Sequence, residues 1–216
     1  MDGSVLNQSV SIGVTPTSWN IMGSGDFNAD GKADILWQST AGNNAVWLMN
    51  GTTYLGSVLL ERTLPAWKMA GSGDFNGDGK PDILWQHDGG ARSIWFMDGA
   101  SRIGAVSLGI VLPSWTIVGA RDFNGDGKPD ILWQHTSGAR ALWLMNGTTR
   151  VSIVSLGNVP PSWSIVGSGD FNHDGQADIL WQHTSGARSV WIMNDSVRSQ
   201  VVSLGIVATP WDILNS

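Results

Sequence analysis

The chain is predicted to be all-β, a β-propeller of four-stranded blades, on three observations. A nine-residue pattern, Asp-x-Asn-x-Asp-Gly-x-x-Asp, recurs four times at a fixed 48-residue spacing, starting at Asp26, Asp74, Asp122 and Asp170. Each copy runs straight into Ile-Leu-Trp-Gln, a short apolar run of strand character. Within one period, four such runs alternate with turn-forming residues, and four short strands per repeat is the pattern of a propeller blade.

The period from Ser114 to Pro161 shows the division. Its candidate strands are Trp115-Thr-Ile-Val-Gly, Asp130-Ile-Leu-Trp-Gln, Ala141-Leu-Trp-Leu-Met and Val151-Ser-Ile-Val-Ser-Leu. The Asp loop, Thr-Ser-Gly, Asn-Gly-Thr-Thr and Asn158-Val-Pro-Pro separate them. No stretch has the 3.6-residue period of an amphipathic helix, so helix is expected to be nearly absent. Residues 1–216 read as one repeat domain. Val5 to Val14 align with a fourth strand, and Val201 to Val207 followed by Trp211-Asp-Ile-Leu align with a fourth strand plus the start of a first. Four repeats with these overhangs do not make a simple ring, and open sheet edges invite association. A homo-oligomer, or a fragment of a larger propeller, is therefore expected.

The Asp-rich loops carry the chemistry. Calcium takes six to eight oxygen ligands at about 2.3–2.6 Å, and a tight glycine-containing loop with oxygens at alternate positions supplies them. An EF-hand would need a bidentate Glu at loop position 12, where this chain has Trp37, Trp85, Trp133 and Trp181. The ninth position carries a third carboxylate instead. The expected ligand sets are Asp26, Asn28, Asp30, Lys32 and Asp34; Asp74, Asn76, Asp78, Lys80 and Asp82; Asp122, Asn124, Asp126, Lys128 and Asp130; and Asp170, Asn172, Asp174, Gln176 and Asp178, with the seventh-position residue contributing its main-chain carbonyl. Three carboxylates on nine residues repel one another unless a cation neutralises them. Asx-rich turns without metal are the alternative. About four calcium ions per chain are expected.

Of the 18 acidic residues, 12 lie in these loops, so four calcium ions would move the formal charge from −6 to +2. The acidic balance thus says little about partners, and no basic stripe suggests nucleic acid. No apolar run approaches the length of a membrane-spanning helix. Without cysteine, disulfides are excluded and metal remains the staple open to a loop-rich β-protein. Met1-Asp2-Gly3-Ser4 has neither the basic nor the apolar region of a signal peptide, so an extracellular protein cut from a larger secreted chain, or one exported without such a signal, is expected. All 13 tryptophans fall on the repeat, three per unit plus Trp211. The second and third of each unit lie inside strands and are expected to fill the space between stacked blades.

The segment Gly73 to Trp85, Gly-Asp-Phe-Asn-Gly-Asp-Gly-Lys-Pro-Asp-Ile-Leu-Trp, resembles the FG-GAP or VCBS repeat. The resemblance covers essentially the whole chain. It implies the propeller of the integrin-α type, calcium at all four loops, and a place among proteins that include propeller lectins, adhesins and non-catalytic parts of secreted enzymes.

In an up-down-up-down blade, the Asp loop and the Asn-Gly-Thr-Thr turn share one rim, and the second-to-third hairpin and the interblade connection share the other. The second rim gathers Trp67, His87 and Arg92; Trp115, His135 and Arg140; Trp163, His183 and Arg188; and Trp211. Indole stacks on a sugar ring while guanidinium and imidazole bond its hydroxyls, so this rim is the candidate glycan site. Folding alone explains the same residues if Arg spans neighbouring blades and His caps the hairpin. The first repeat departs from the pattern, with Ser39 and Asn44 at the His and Arg positions. Catalysis is not expected, because the carboxylates are committed to the loops; His173 reads as a tolerated loop-tip substitution. Two readings survive: a multivalent calcium-dependent lectin, and a structural or adhesive propeller module that binds protein partners.

Overall fold

The Ile-Leu-Trp-Gln run decides how the blades stack, because its alternate side chains serve opposite faces of the sheet. In the computed structural model, which describes residues 10–207, Ile83 and Trp85 face the first blade and pack with its Phe27, Leu36 and Val46 and with Met69 and Met97 of their own blade. Leu84, one residue on, faces the third blade and packs with Ile117, Ile131, Trp133, Trp143 and Met145. The same arrangement recurs between the third and fourth blades. The core is therefore three layers, each lying between two sheets.

The first blade comprises β1 (Trp19–Gly25), β2 (Asp34–Ser39), β3 (Asn44–Asn50) and β4 (Thr53–Leu60). The second comprises β5 (Trp67–Gly73), β6 (Asp82–His87), β7 (Ala91–Asp98) and β8 (Ser101–Ile110). The third comprises β9 (Trp115–Arg121), β10 (Asp130–His135), β11 (Ala139–Asn146) and β12 (Thr149–Asn158), and the fourth β13 (Trp163–Gly169), β14 (Asp178–His183), β15 (Ala187–Asn194) and β16 (Val197–Ile206). Each is an antiparallel meander, and the four form a four-bladed propeller of about 48 residues per repeat. The second strands are almost wholly buried, whereas the fourth strands face solvent. The four strands expected in each repeat are found, and no helix occurs among the described residues.

The inner strands pack in order, β1 on β5, β5 on β9 and β9 on β13, and no comparable packing joins β13 to β1 among the described residues. Val10 to Val14 form no strand, and the rest of the N-terminal overhang and Trp211 lie outside the described residues.

Small residues set the approach of neighbouring blades. A Cβ at Gly25 would lie 2.9 Å from Pro81, and one at Gly73 would lie 2.9 Å from Pro129, so each proline of the Lys-Pro-Asp loop rests on a glycine of the preceding blade. The third blade has Arg121 at that glycine position, and the following loop has Ala177 in place of proline. The Ala177 N–H then donates to the Asp122 carbonyl at 2.8 Å.

Polar staples complete each interface. Gln38, Gln86 and Gln134 accept the N–H groups of Met69, Ile117 and Ile165 in the next blade at 3.2, 3.0 and 3.1 Å. Trp37–Trp47, Trp85–Trp95, Trp133–Trp143 and Trp181–Trp191 form tilted pairs with centroids 4.5–4.8 Å apart. The tryptophan packing expected within strands is thus observed.

Candidate functional site

Each Asp loop is folded by its own side chains. In the second blade, Asp74 Oδ1 accepts the N–H groups of Gly77 and Asp78, and its Oδ2 accepts that of Gly79. Asn76 Oδ1 accepts the Asp78 N–H, and Asp78 Oδ1 accepts that of Lys80. The pattern recurs in the other three loops. The turn needs positive φ at its fourth position, where Gly77 and Gly125 are ordinary but Ala29 (φ 60°) and His173 (φ 62°) are strained.

The ninth-position carboxylates sit beneath the loop. Asp34, Asp82, Asp130 and Asp178 are fully buried. Asp130 Oδ2 accepts the Phe123 N–H at 3.0 Å and Oδ1 accepts the Met145 N–H at 2.9 Å, so one side chain ties the loop to the third strand. Burial pushes the carboxyl groups of Asp82 and Asp130 up to about 6, against the backbone hydrogen bonds that favour their charged form. Among the described residues no three carboxylates or histidines converge closely enough to form a metal cluster. Four hard oxygen side chains per loop, with a desolvated carboxylate at the base, nevertheless make a donor set that suits a hard divalent cation.

The seventh-position side chains point to the neighbouring turn. Lys80 pairs with Asp98 at 2.6 Å, Lys128 donates to Asn146 at 2.7 Å, and the Asp195 N–H donates to Gln176 at 2.6 Å. The Asp loops and the third-to-fourth turns therefore share one rim, as the meander requires.

On the opposite rim the structure gathers Trp and His but withdraws Arg. Trp67–His87, Trp115–His135 and Trp163–His183 are half-buried pairs with ring centroids 4.8–5.0 Å apart. His87 Nδ1 accepts the Gly89 N–H at 2.8 Å, and His135 and His183 accept the N–H groups of Ser137 and Ser185, so each histidine caps its hairpin. Arg92 and Arg140 are buried. Their guanidinium groups donate to the carbonyls of Trp115 at 2.7 Å and Trp163 at 2.9 Å in the next blade. They also lie over the Trp133 and Trp181 rings. Arg92 and Arg140, expected on an open rim, therefore lie between blades: Nη2 reaches the next blade and Nη1 the carbonyls of their own hairpin. Arg188 is half-buried, and Trp211 lies outside the described residues. In the first blade Gln38 Nε2 reaches the Trp67 carbonyl at 2.9 Å, and Asn44 bonds the Glu61 carbonyl at 2.8 Å, so no arginine is needed there.

Replacing Arg140 with Met is expected to cost about 2–4 kcal/mol, since it strands an interblade carbonyl and removes a buried cation–π contact. Urea unfolding reads the loss; a cost under about 1 kcal/mol would mean the guanidinium is not a staple.

Two cavities stand out. One of about 550 Å³ follows the inner strands and is walled by Gly23, Gly71, Gly119, Ala120 and their neighbours. The other, about 480 Å³, lies between β12 and the fourth blade and is walled by Trp163, Trp181, Trp191 and Arg198 with Gly157 to Pro160 opposite. Trp163, expected on the ligand rim, is among the residues of this groove; Arg198 was not anticipated, because the groove's residues come from different repeats. An arginine at the same place in three repeats, Arg102, Arg150 and Arg198, was the available signal.

Fold and loops together define a repeat propeller with Asp-rich turns on one rim. Residues 26–85, 74–133 and 122–181 match the FG-GAP-like repeat, and the chain belongs to that family. No curated protein sequence matches the chain. Solved structures similar to it include two crystal structures of BBS1N in complex with ARL6DN, one soaked with lead and one with mercury. The first is 14% identical, with 84% of this chain covering 52% of that one at a TM-score of 0.44. The second is 13% identical, with 87% covering 53% at 0.46. This chain thus spans about half the length of the chains it matches.

Proposed function

We propose that this protein is a non-catalytic, calcium-loaded propeller that acts outside the cell as a multivalent carbohydrate-binding module. The observation that carries the reading is the groove of about 480 Å³ between the third and fourth blades, walled by three tryptophans and an arginine. Aromatic walls with a few convergent polar groups suit a sugar ring, which has apolar faces and a polar edge. Repetition supports multivalency, since weak equivalent sites on one scaffold combine on a glycan-coated surface. Calcium in the Asp loops would offset carboxylate repulsion and hold the rim on which the blades meet. The slight packing between β13 and β1 supports closure by a second copy of the chain.

A glycan array on calcium-loaded protein, with the mass of the assembly recorded on the same sample, tests this. Glycans sharing one terminal sugar, bound by a particle larger than one chain, are expected. The second reading, a propeller that binds protein, is favoured by Arg92, Arg140 and the capping histidines being absorbed by folding. A blank array with well-folded protein would select it.

A further inference from the structure

The three junctions between successive blades differ at one place. Between the first and second blades, Arg102 of β8 lies over Trp95 at 4.8 Å from the ring centroid. Its Nε and Nη2 both donate to the Glu61 carboxylate, at 2.8 and 3.1 Å, from just past the end of β4. Arg150 and Arg198 occupy the same repeat position and stack on Trp143 and Trp191 at 4.5 and 4.4 Å. Opposite them, however, Glu61 is replaced by Gly109 and Gly157. These glycines have φ of 87° and 83°, and a Cβ on either would meet nothing within 4 Å. Among the described residues, Arg150 and Arg198 have no carboxylate within ion-pair distance. Gly157 and Arg198 both line the groove of about 480 Å³.

The chain therefore contains one blade junction with its carboxylate built in and two of the same plan without one. We propose that the groove between the third and fourth blades, and its counterpart between the second and third, take a carboxylate-bearing sugar, a uronic or sialic acid residue. The acid group occupies the position that Glu61 fills for Arg102. This rests on the carbohydrate-binding reading and narrows it to acidic glycans. Stacking on tryptophan leaves the edge of the guanidinium free for a two-point bond to a carboxylate, a geometry lysine cannot supply. Half-buried Trp163 offers a face for the ring, and the exposed site makes binding weaken with salt. Glu61 keeps the first junction closed to the same ligand.

The test is calorimetric titration of the calcium-loaded protein with methyl glycosides of glucuronic, galacturonic and N-acetylneuraminic acids, beside neutral methyl glucoside and galactoside. At least one acid is expected to bind about tenfold more tightly than the neutral sugars, the scale of one charge-assisted bidentate contact. The double variant Arg150→Gln, Arg198→Gln, checked for an unchanged melting temperature, loses that preference. Glu61→Ala uncovers Arg102 and adds a third site to about two per chain. Neutral sugars binding as well as acids, or the double variant keeping the acid preference, overturns the carboxylate assignment and leaves the lectin reading standing. A protein that binds no saccharide overturns both.

Discussion

Chelating calcium is expected to lower the melting temperature by tens of degrees. A site filled at a hundredfold excess over its dissociation constant contributes about 2.7 kcal/mol, so four independent sites contribute about 11 kcal/mol. For a chain of this size each kcal/mol moves the midpoint by about 2–4 °C. Scanning calorimetry with and without chelator reads the difference, and coincident curves would remove calcium from the account. The pH dependence in chelator gives a second reading. Burial places the Asp82 and Asp130 carboxyl groups at about 6, above their usual range, so the folded chain binds protons more tightly than the unfolded one. Their contribution to stability then rises as the pH falls from 7 through 6, and is lost as the pH rises through 6. Calcium-loaded protein is expected to behave in the opposite sense, because protons compete with the cation for the loop. A metal-free midpoint that drops between pH 7 and 5 would contradict the burial argument.

Asp130→Ala carries the second largest expected effect, about 3–5 kcal/mol. The carboxylate accepts two buried N–H groups, from Phe123 and Met145, and alanine leaves both without an acceptor. Each stranded group costs about 1–3 kcal/mol. Urea unfolding of the variant should show an earlier midpoint with little change in slope. The penalty persists in chelator, which separates support of the backbone from any part the residue takes in holding metal. A metal-free variant as stable as its parent would confine Asp130 to a metal role.

The blades were legible in the sequence because the Asp loop and the Ile-Leu-Trp-Gln run are local signals. The loop needs oxygen atoms at fixed short spacings, and the strand needs two buried faces, so each is written within nine or so consecutive residues. The rim was legible only in part. Recurrence marks Trp163, His183 and Arg188 as a unit, yet recurrence is equally the signature of an interface, and Arg92 and Arg140 turn out to serve the interface. What separates the two uses is burial, which depends on the next blade. The outer junctions were missed for a related reason. Glu61 and Arg102 are 41 residues apart and belong to different sheets, so their pairing appears only once the blades are stacked. The substitution of Glu61 by Gly109 and Gly157 in later repeats was visible, but it carried no meaning without the arginine opposite.

The fit of Pro81 on Gly25 and of Pro129 on Gly73 limits how such a chain can be rearranged. A repeat has a leading edge and a trailing edge that must mate, like teeth cut to one pitch. The third blade, with Arg121 at its trailing edge, accepts a follower that begins with Ala177 but would collide with one that begins with proline. Repeats of this protein are therefore not freely interchangeable beads. Duplication, deletion or shuffling succeeds when the cut preserves mated edges, which makes the unit of inheritance the junction between two blades rather than the blade itself.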